Sequence, residues 1–319
     1  MFVFFSLVSM VSKGQESGSV FNFLKLPTSA HAVALGGSNV SLIEDDASLI
    51  FHNPALLSSV SNNTMNLNFM TYMRGTKTGS ASFVRLQGDR GTWGVGMQFV
   101  GYGSMKETDV SGAEIGEMHA IDMAVNGMYS YNLSDKWVGA ATGKLIYSKY
   151  GPYTSCGLAV DLGLNYFDDE HDFSVSAVAS NLGGQVKAFG EDHERLPFNL
   201  QLGFSKSLGH APIRFSVTMV DLTRWSKKYY YHVSKEPKVG SILMNHFCFG
   251  VDIIPMKQFY IAAGFNFRRA YEMKAAGSSH AAGLSAGAGI NIKKVKIGLA
   301  FAKYHVSTPT LSFSASYNI

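Results

Sequence analysis

The chain has 319 residues, of which 46% are hydrophobic, 16% charged and 13% aromatic, with 33 glycines, 8 prolines, 2 cysteines and a formal net charge of +4. Soluble domains carry about 25% charged residues, so charge is scarce here, and a disordered chain is excluded. Two cysteines cannot staple a small secreted fold, and no apolar run reaches the roughly 18 residues of a spanning helix. A β-rich protein remains, either soluble or closed into a membrane barrel.

Phe2 to Val11 is an apolar stretch too short to span a bilayer, followed by Ser12-Lys13-Gly14-Gln15. This predicts a secretory signal over residues 1–14, although the basic residues that usually precede such a stretch are missing. A buried N-terminal strand is the alternative. Phe21 to Asn63 lack a period of two. Ser29 is placed to cap a short helix through Ala34 that Gly36-Gly37 would stop. Asp45 or Asp46 could cap a second over Ala47 to Phe51, ended by Asn53-Pro54. Leu35, Leu42, Leu49, Ile50, Leu56 and Leu57 need burial, and a barrel interior offers it. Residues 15–63 are therefore predicted to form a short helical plug in the lumen, marked by Leu35, Gly36, Gly37, Asp45, Asp46, Asn53 and Pro54.

Residues 64–319 alternate nearly everywhere. In the last segment Leu311, Phe313, Ala315, Tyr317 and Ile319 alternate with Thr310, Ser312, Ser314, Ser316 and Asn318, which puts apolar groups on one face and hydroxyls or amides on the other. Fourteen such segments begin near Thr64, Gly79, Gly91, Met118, Lys136, Tyr153, His171, Leu196, Pro212, Met244, Gln258, His280, Val295 and Pro309. Most run about 9 to 14 residues, close to the roughly 9–11 that cross a bilayer at a tilt. Connections after even segments are short, while the long ones, 103–117, 183–195, 223–243 and 270–279, all follow odd segments. Short turns at one rim and long loops at the other are the mark of an outer-membrane barrel. Aromatics near the short turns, among them Trp93, Trp137, Tyr166, Phe173 and Tyr260, suggest an interfacial girdle. The predicted fold is an all-β transmembrane barrel of 14 antiparallel strands.

Few constellations suggest chemistry. None of the ten histidines is spaced as a ligand pair, and Asp168-Asp169-Glu170-His171-Asp172 lacks the spacing of a calcium loop. Gly94-x-Gly96 and Gly287-x-Gly289 fall inside strands with no helix to follow, so they read as small residues packed against the plug rather than as phosphate loops. No cofactor, metal, enzymatic activity or nucleic-acid partner is expected. Asp122, Asn126, Lys144, Asp161, Asn165, Arg214, Asn266 and Arg268 are assigned inward, as a hydrogen-bonded lining that pairs with the plug, since buried charge persists only with partners. Cys156 and Cys248 lie strands apart and read as unbridged. The loop after Thr223 sets Arg224, Trp225, Lys227 and Lys228 beside Tyr229, Tyr230 and Tyr231, a combination suited to a protein partner and to anionic lipopolysaccharide.

The run Phe23-Leu24-Lys25-Leu26-Pro27-Thr28-Ser29-Ala30-His31-Ala32-Val33-Ala34-Leu35-Gly36-Gly37, with Asp45-Asp46-Ala47 and Asn53-Pro54-Ala55-Leu56, resembles the start of the PorV/PorQ family, the PorQ branch more than the PorV branch. These are fatty-acid-transporter-like outer-membrane barrels of the type IX secretion system. The resemblance implies a non-enzymatic, monomeric anchor in the outer membrane of a Gram-negative bacterium, with cell-surface loops that hold a PorZ-like protein where cargo loses its signal and joins anionic lipopolysaccharide. The alternative is a fatty-acid-transporter-like channel for hydrophobic small molecules.

Overall fold

The computed structural model describes residues 19–72, 75–109, 111, 113–227, 238–275, 281–304 and 308–319. The expected signal, and Lys228, Tyr229, Tyr230 and Tyr231 of the long loop, lie outside the described residues. The strands are β1 (Thr64–Thr71), β2 (Lys77–Gln87), β3 (Gly91–Thr108), β4 (Glu114–Asn132), β5 (Trp137–Tyr150), β6 (Tyr153–Asp168), β7 (Phe173–Lys187), β8 (Asn199–Ser207), β9 (Ile213–Met219), β10 (Phe247–Met256), β11 (Phe259–Asn266), β12 (Leu284–Ile292), β13 (Val295–Ala302) and β14 (Thr310–Asn318). Each pairs antiparallel with its sequence neighbour, and β1 pairs with β14 from Thr64↔Asn318 to Met70↔Ser312, which closes the barrel. No described helix is long and apolar enough to cross a membrane.

The period of two places the side chains as expected. On β6, Leu158, Val160, Leu162 and Leu164 are exposed on the outer wall while Ala159, Asp161 and Asn165 are buried inside. On β14, Leu311, Phe313 and Tyr317 face outward and Ser312, Ser314 and Ser316 inward. An apolar outer surface around a polar interior is what a barrel presents to acyl chains. Near the short turns, ring contacts run Trp137–Tyr166, Tyr166–Phe173 and Phe173–Phe204. Tyr260 departs from this girdle: its ring turns inward and stacks on His31, with centroids 3.9 Å apart.

The long connections differ from expectation in a consistent way. Between β3 and β4 the ladder continues through Lys106↔Glu117 and Thr108↔Glu114, because cross-strand pairs such as Ser104 Oγ to Glu117 (2.8 Å) and Lys106 with Glu114 extend it. Two other connections contain helices, α2 (Val239–Asn245) and α3 (Phe267–Ala275).

The N-terminal segment packs against the inner wall. Helix α1 (Ala30–Ala34) starts at Ser29, whose side chain accepts from the Ala32 amide, and ends at Gly36 and Gly37, both at positive φ. The expected helix over Ala47 to Phe51 is instead a 3₁₀ turn, Leu49–Phe51, because Asp46 Oδ1 binds the Ser48 amide and hydroxyl and holds the chain in a turn before it. Asn53-Pro54 starts a further 3₁₀ helix, Pro54–Ser59, with Asn53 as its cap. The core lies between this segment and the wall: Leu35 and Leu42 cluster with Ala262 and Ala300, Ile50 and Leu57 with Val84 and Met128, and Phe21 and Phe23 with Val100 and Ile146. Gly94, Gly96 and Gly287 face Leu57, Phe51 and Ala34, whereas Gly289 faces Tyr260.

Candidate functional site

Two inward residues and two from the N-terminal segment form a buried charge network. His31 Nδ1 lies 2.8 Å from Glu44 Oε2, and His31 Nε2 lies 2.7 Å from Asp252 Oδ1. Arg214 donates Nε and Nη2 to Asp252 Oδ2 at 2.9 and 2.8 Å, and Nη2 also reaches Glu44 Oε1 at 2.5 Å. Burial by itself disfavours a charged imidazole, yet the carboxylates of Glu44 and Asp252 more than offset it and push the His31 pKa up to about 10. Two cations thus face two carboxylates. Arg214 was assigned to the lining by its place in the alternation. Asp252 was missed, although Phe249, Val251 and Ile253 flank it on the opposite face and send it inward.

Toward the long-loop end, a luminal cavity of about 310 Å³ is lined by Leu24, Leu26, Phe51, His52, Lys144, Arg269 and Tyr304, among others. Helix α3 shapes its rim. Asn266 starts that helix by accepting from the Arg269 amide (2.9 Å), and its Nδ2 donates to Gly36 O (3.1 Å), which ties the helix to the N-terminal segment. Arg268 was assigned to an inward strand position, but helix α3 carries it instead. There it binds Asp221 (2.7 Å) and Glu272 (2.8 Å).

The barrel wall is irregular beside this cavity. Between Val160 and Leu162 the β6–β7 register shifts, and Asn181 takes φ 62°. One extra residue on β7 makes this a bulge, which bends a strand and re-aims its side chains. Asn181 Oδ1 accepts from Lys144 (2.9 Å), its amide donates to Asp161 Oδ1 (2.7 Å), and Lys144 pairs with Asp161 Oδ2 at 2.6 Å. On the outer face a cleft of about 800 Å³ opens across β4 to β7, lined by Val125, Leu145, Leu158, Val160, Leu182 and Val186, and also by Lys144. Lys144 therefore borders both the outer cleft and the luminal cavity.

Solved structures share this architecture. The toluene transporter TodX of Pseudomonas putida superposes with a TM-score of 0.57 at 13% identity, covering 92% of this chain and 98% of that one. The monoaromatic hydrocarbon channel CymD gives 0.59 at 12%, covering 94% and 99%. A Pseudomonas aeruginosa FadL homologue gives 0.54 at 10%, covering 91% and 98%. The chain has the fold of these proteins. No family model matches it, and no curated protein matches its sequence.

Within this FadL-like fold the remaining expected residues are scattered. Asp122 accepts hydroxyls from Tyr102 (2.6 Å), Tyr150 (3.0 Å) and Ser148, and Asn165 accepts from Ser174 (3.0 Å) and Ser176 (2.6 Å). Asn126 is buried, and its side-chain amide has no hydrogen-bond partner among the described residues. Asp45 anchors the N-terminal segment to Lys296 of β13 (2.5 Å) and, within the segment, accepts from the Ser61 amide (2.6 Å). In the 168–172 turn, Asp168, Glu170 and His171 draw together at the surface, with Asp168 also bound to Lys136 at 3.1 Å. Arg224 donates to Phe198 O (3.3 Å), and Trp225 packs its ring on His246 while staying 46% exposed.

Proposed function

We propose that this protein is an outer-membrane channel that passes hydrophobic small molecules between the long-loop end of the lumen and the bilayer, through the wall at the β7 bulge. One observation carries the reading: Lys144 lines the luminal cavity on one side and the apolar outer cleft on the other, so its pairing with Asp161 and Asn181 closes a lateral route. The likeness in fold to TodX and CymD, described as a toluene transporter and a monoaromatic hydrocarbon channel, supports it. In this reading residues 19–63 act as the plug: their contacts with the inner wall obstruct the straight path and turn a solute sideways.

The test is uptake of toluene by vesicles carrying the purified chain, with Gly184→Trp as the blocked variant. A Cβ on Gly184 meets nothing within 4 Å and the residue lines the outer cleft, so the backbone there has room to carry a tryptophan that fills it. Uptake faster than in empty vesicles, abolished by Gly184→Trp, is expected. Uptake no faster than in empty vesicles refutes the channel.

A second reading, tethering of a PorZ-like surface protein beside lipopolysaccharide, draws on the PorQ-like residues 23–56 and on the exposed Trp225 ring. Pull-down from detergent-solubilised outer membrane with the intact chain as bait tests it, and absence of such a protein from the eluate refutes it.

A further inference from the structure

The buried cations described inside this barrel each meet a carboxylate, with one exception. His31 and Arg214 meet Glu44 and Asp252, Lys144 meets Asp161, Lys296 meets Asp45, and Arg268 meets Asp221 and Glu272. Arg269 has no such carboxylate. It is only 7% exposed, and a guanidinium keeps its charge whatever surrounds it. Its hydrogen bonds are two long ones from Nη2, to the carbonyls of Gly36 (3.3 Å) and Gly283 (3.4 Å). Among the described residues Nε and Nη1 have no acceptor, and the Tyr304 hydroxyl has no hydrogen-bond partner either.

These orphaned donors converge. The Arg269 guanidinium lies over the Tyr304 ring, 4.4 Å from its centroid, and a cation–π contact of this kind satisfies none of the N–H groups. Both side chains close over Gly37. A Cβ on that glycine would overlap the Tyr304 hydroxyl and come within 3.4 Å of Arg269 Nη1. The absence of a side chain at Gly37, at φ 92°, therefore lets the two donors approach the same point. Both residues line the luminal cavity, whose other walls include Ser38, Asn199 and Gln201.

A buried cation without an anion is costly, and its usual resolution is a bound acceptor. Carboxylates and phosphates match the planar fork of arginine, and a neighbouring hydroxyl adds a third hydrogen bond. We propose that Arg269 and Tyr304, converging over Gly37 beside the luminal cavity, bind the oxyanion, carboxylate or phosphate, of a small molecule. The site goes beyond the lateral route: its occupancy is read by binding and needs no transport, so either idea can fail while the other stands.

The experiment is calorimetric titration of the purified full-length chain in neutral detergent, in an oxyanion-free buffer, with inorganic phosphate, acetate and octanoate. Saturable binding of at least one of these is expected, weakened at least tenfold in Arg269→Gln and several-fold in Tyr304→Phe. Arg269→Lys should also weaken it, since the charge is kept and the fork is lost. Heat-modifiable migration in gels, the same for all variants, checks that each barrel has closed. A variant that fails this check is replaced by Gly37→Ala, whose methyl group would push the Tyr304 hydroxyl away from the point where the two donors meet. Octanoate binding at least tenfold tighter than acetate assigns the oxyanion to the head of an amphipathic molecule, and equal binding assigns it to a free ion. Either result supports the site. Lack of saturable binding for all three anions, or equal binding by Arg269→Gln, overturns it.

Discussion

Asp252→Asn tests whether the buried charge network holds the N-terminal segment in the barrel. Asp252 is wholly buried and bonds both His31 and Arg214. Neutralising it leaves two cations facing the single carboxylate of Glu44. Removing one member of a buried ion pair costs about 3–5 kcal/mol, and each 1.4 kcal/mol is a factor of ten in an equilibrium. If that cost falls on local release of the segment, its opening becomes about two to three and a half orders of magnitude more frequent. The readout is amide hydrogen exchange, corrected for intrinsic rate, at Val33, Leu35 and Gly37, which donate to Ser29, His31 and Ala32 around α1.

The same amides report the charge on His31. Its folded pKa is raised, so the stability it lends is complete below the unfolded imidazole value near 6.5 and gone once pH passes about 10. Between those limits it falls by about 1.4 kcal/mol per pH unit. Wild-type protection should decline across this window. In Asp252→Asn the decline should begin from a lower level and end at a lower pH, because one of the carboxylates that hold the proton has been removed. Exchange that ignores both the substitution and the pH would show that the network does not retain the segment.

Three further outcomes follow from particular contacts. Leu162 is 49% exposed on the outer wall, so Leu162→Arg should destabilise the barrel in lipid by about 2–4 kcal/mol; equal unfolding midpoints in vesicles would remove the bilayer-facing assignment. Asn53 is wholly buried, accepts from the Ala55 amide at 2.9 Å and donates to Val40 O at 2.7 Å. Asn53→Ala should cost about 1–3 kcal/mol, read as faster exchange over residues 54–59, and unchanged exchange would deny it a retaining role. Lys144→Met keeps the apolar stem and loses the closing ion pair, so toluene uptake should rise above wild type; an unchanged rate places the route elsewhere in the wall.

The barrel was legible because its signal is local. Each strand shows its two faces in consecutive residues, and fourteen repetitions leave little freedom in the architecture. The same alternation assigned Arg214 inward without any knowledge of its partner. The partners themselves were not legible. His31 and Asp252 are 221 residues apart, and only barrel closure with the segment inside brings them together. The β7 bulge leaves a trace in the sequence: Ser180 and Asn181 are consecutive polar residues where a period of two would send one of them outward, and both are buried. A polar residue out of phase, of the type that tolerates a left-handed backbone, is how a bulge looks in sequence.

Arg268 and Arg269 show how one misjudged element moves a site. Continued as a strand, β11 would send the two arginines to opposite faces, with Arg268 inward beside Asn266. Asn266 ends the strand instead, because its side chain captures the Arg269 amide and opens a helix. Successive side chains on a helix are about 100° apart rather than 180°. Arg268 therefore reaches Asp221 and Glu272, and Arg269 turns into the barrel over Gly37. Both arginines line the luminal cavity, so the helix changes the partners of Arg268 and brings a second cation inward beside it. The arginine that lacks a counter-charge is the one that the strand pattern would have sent outside.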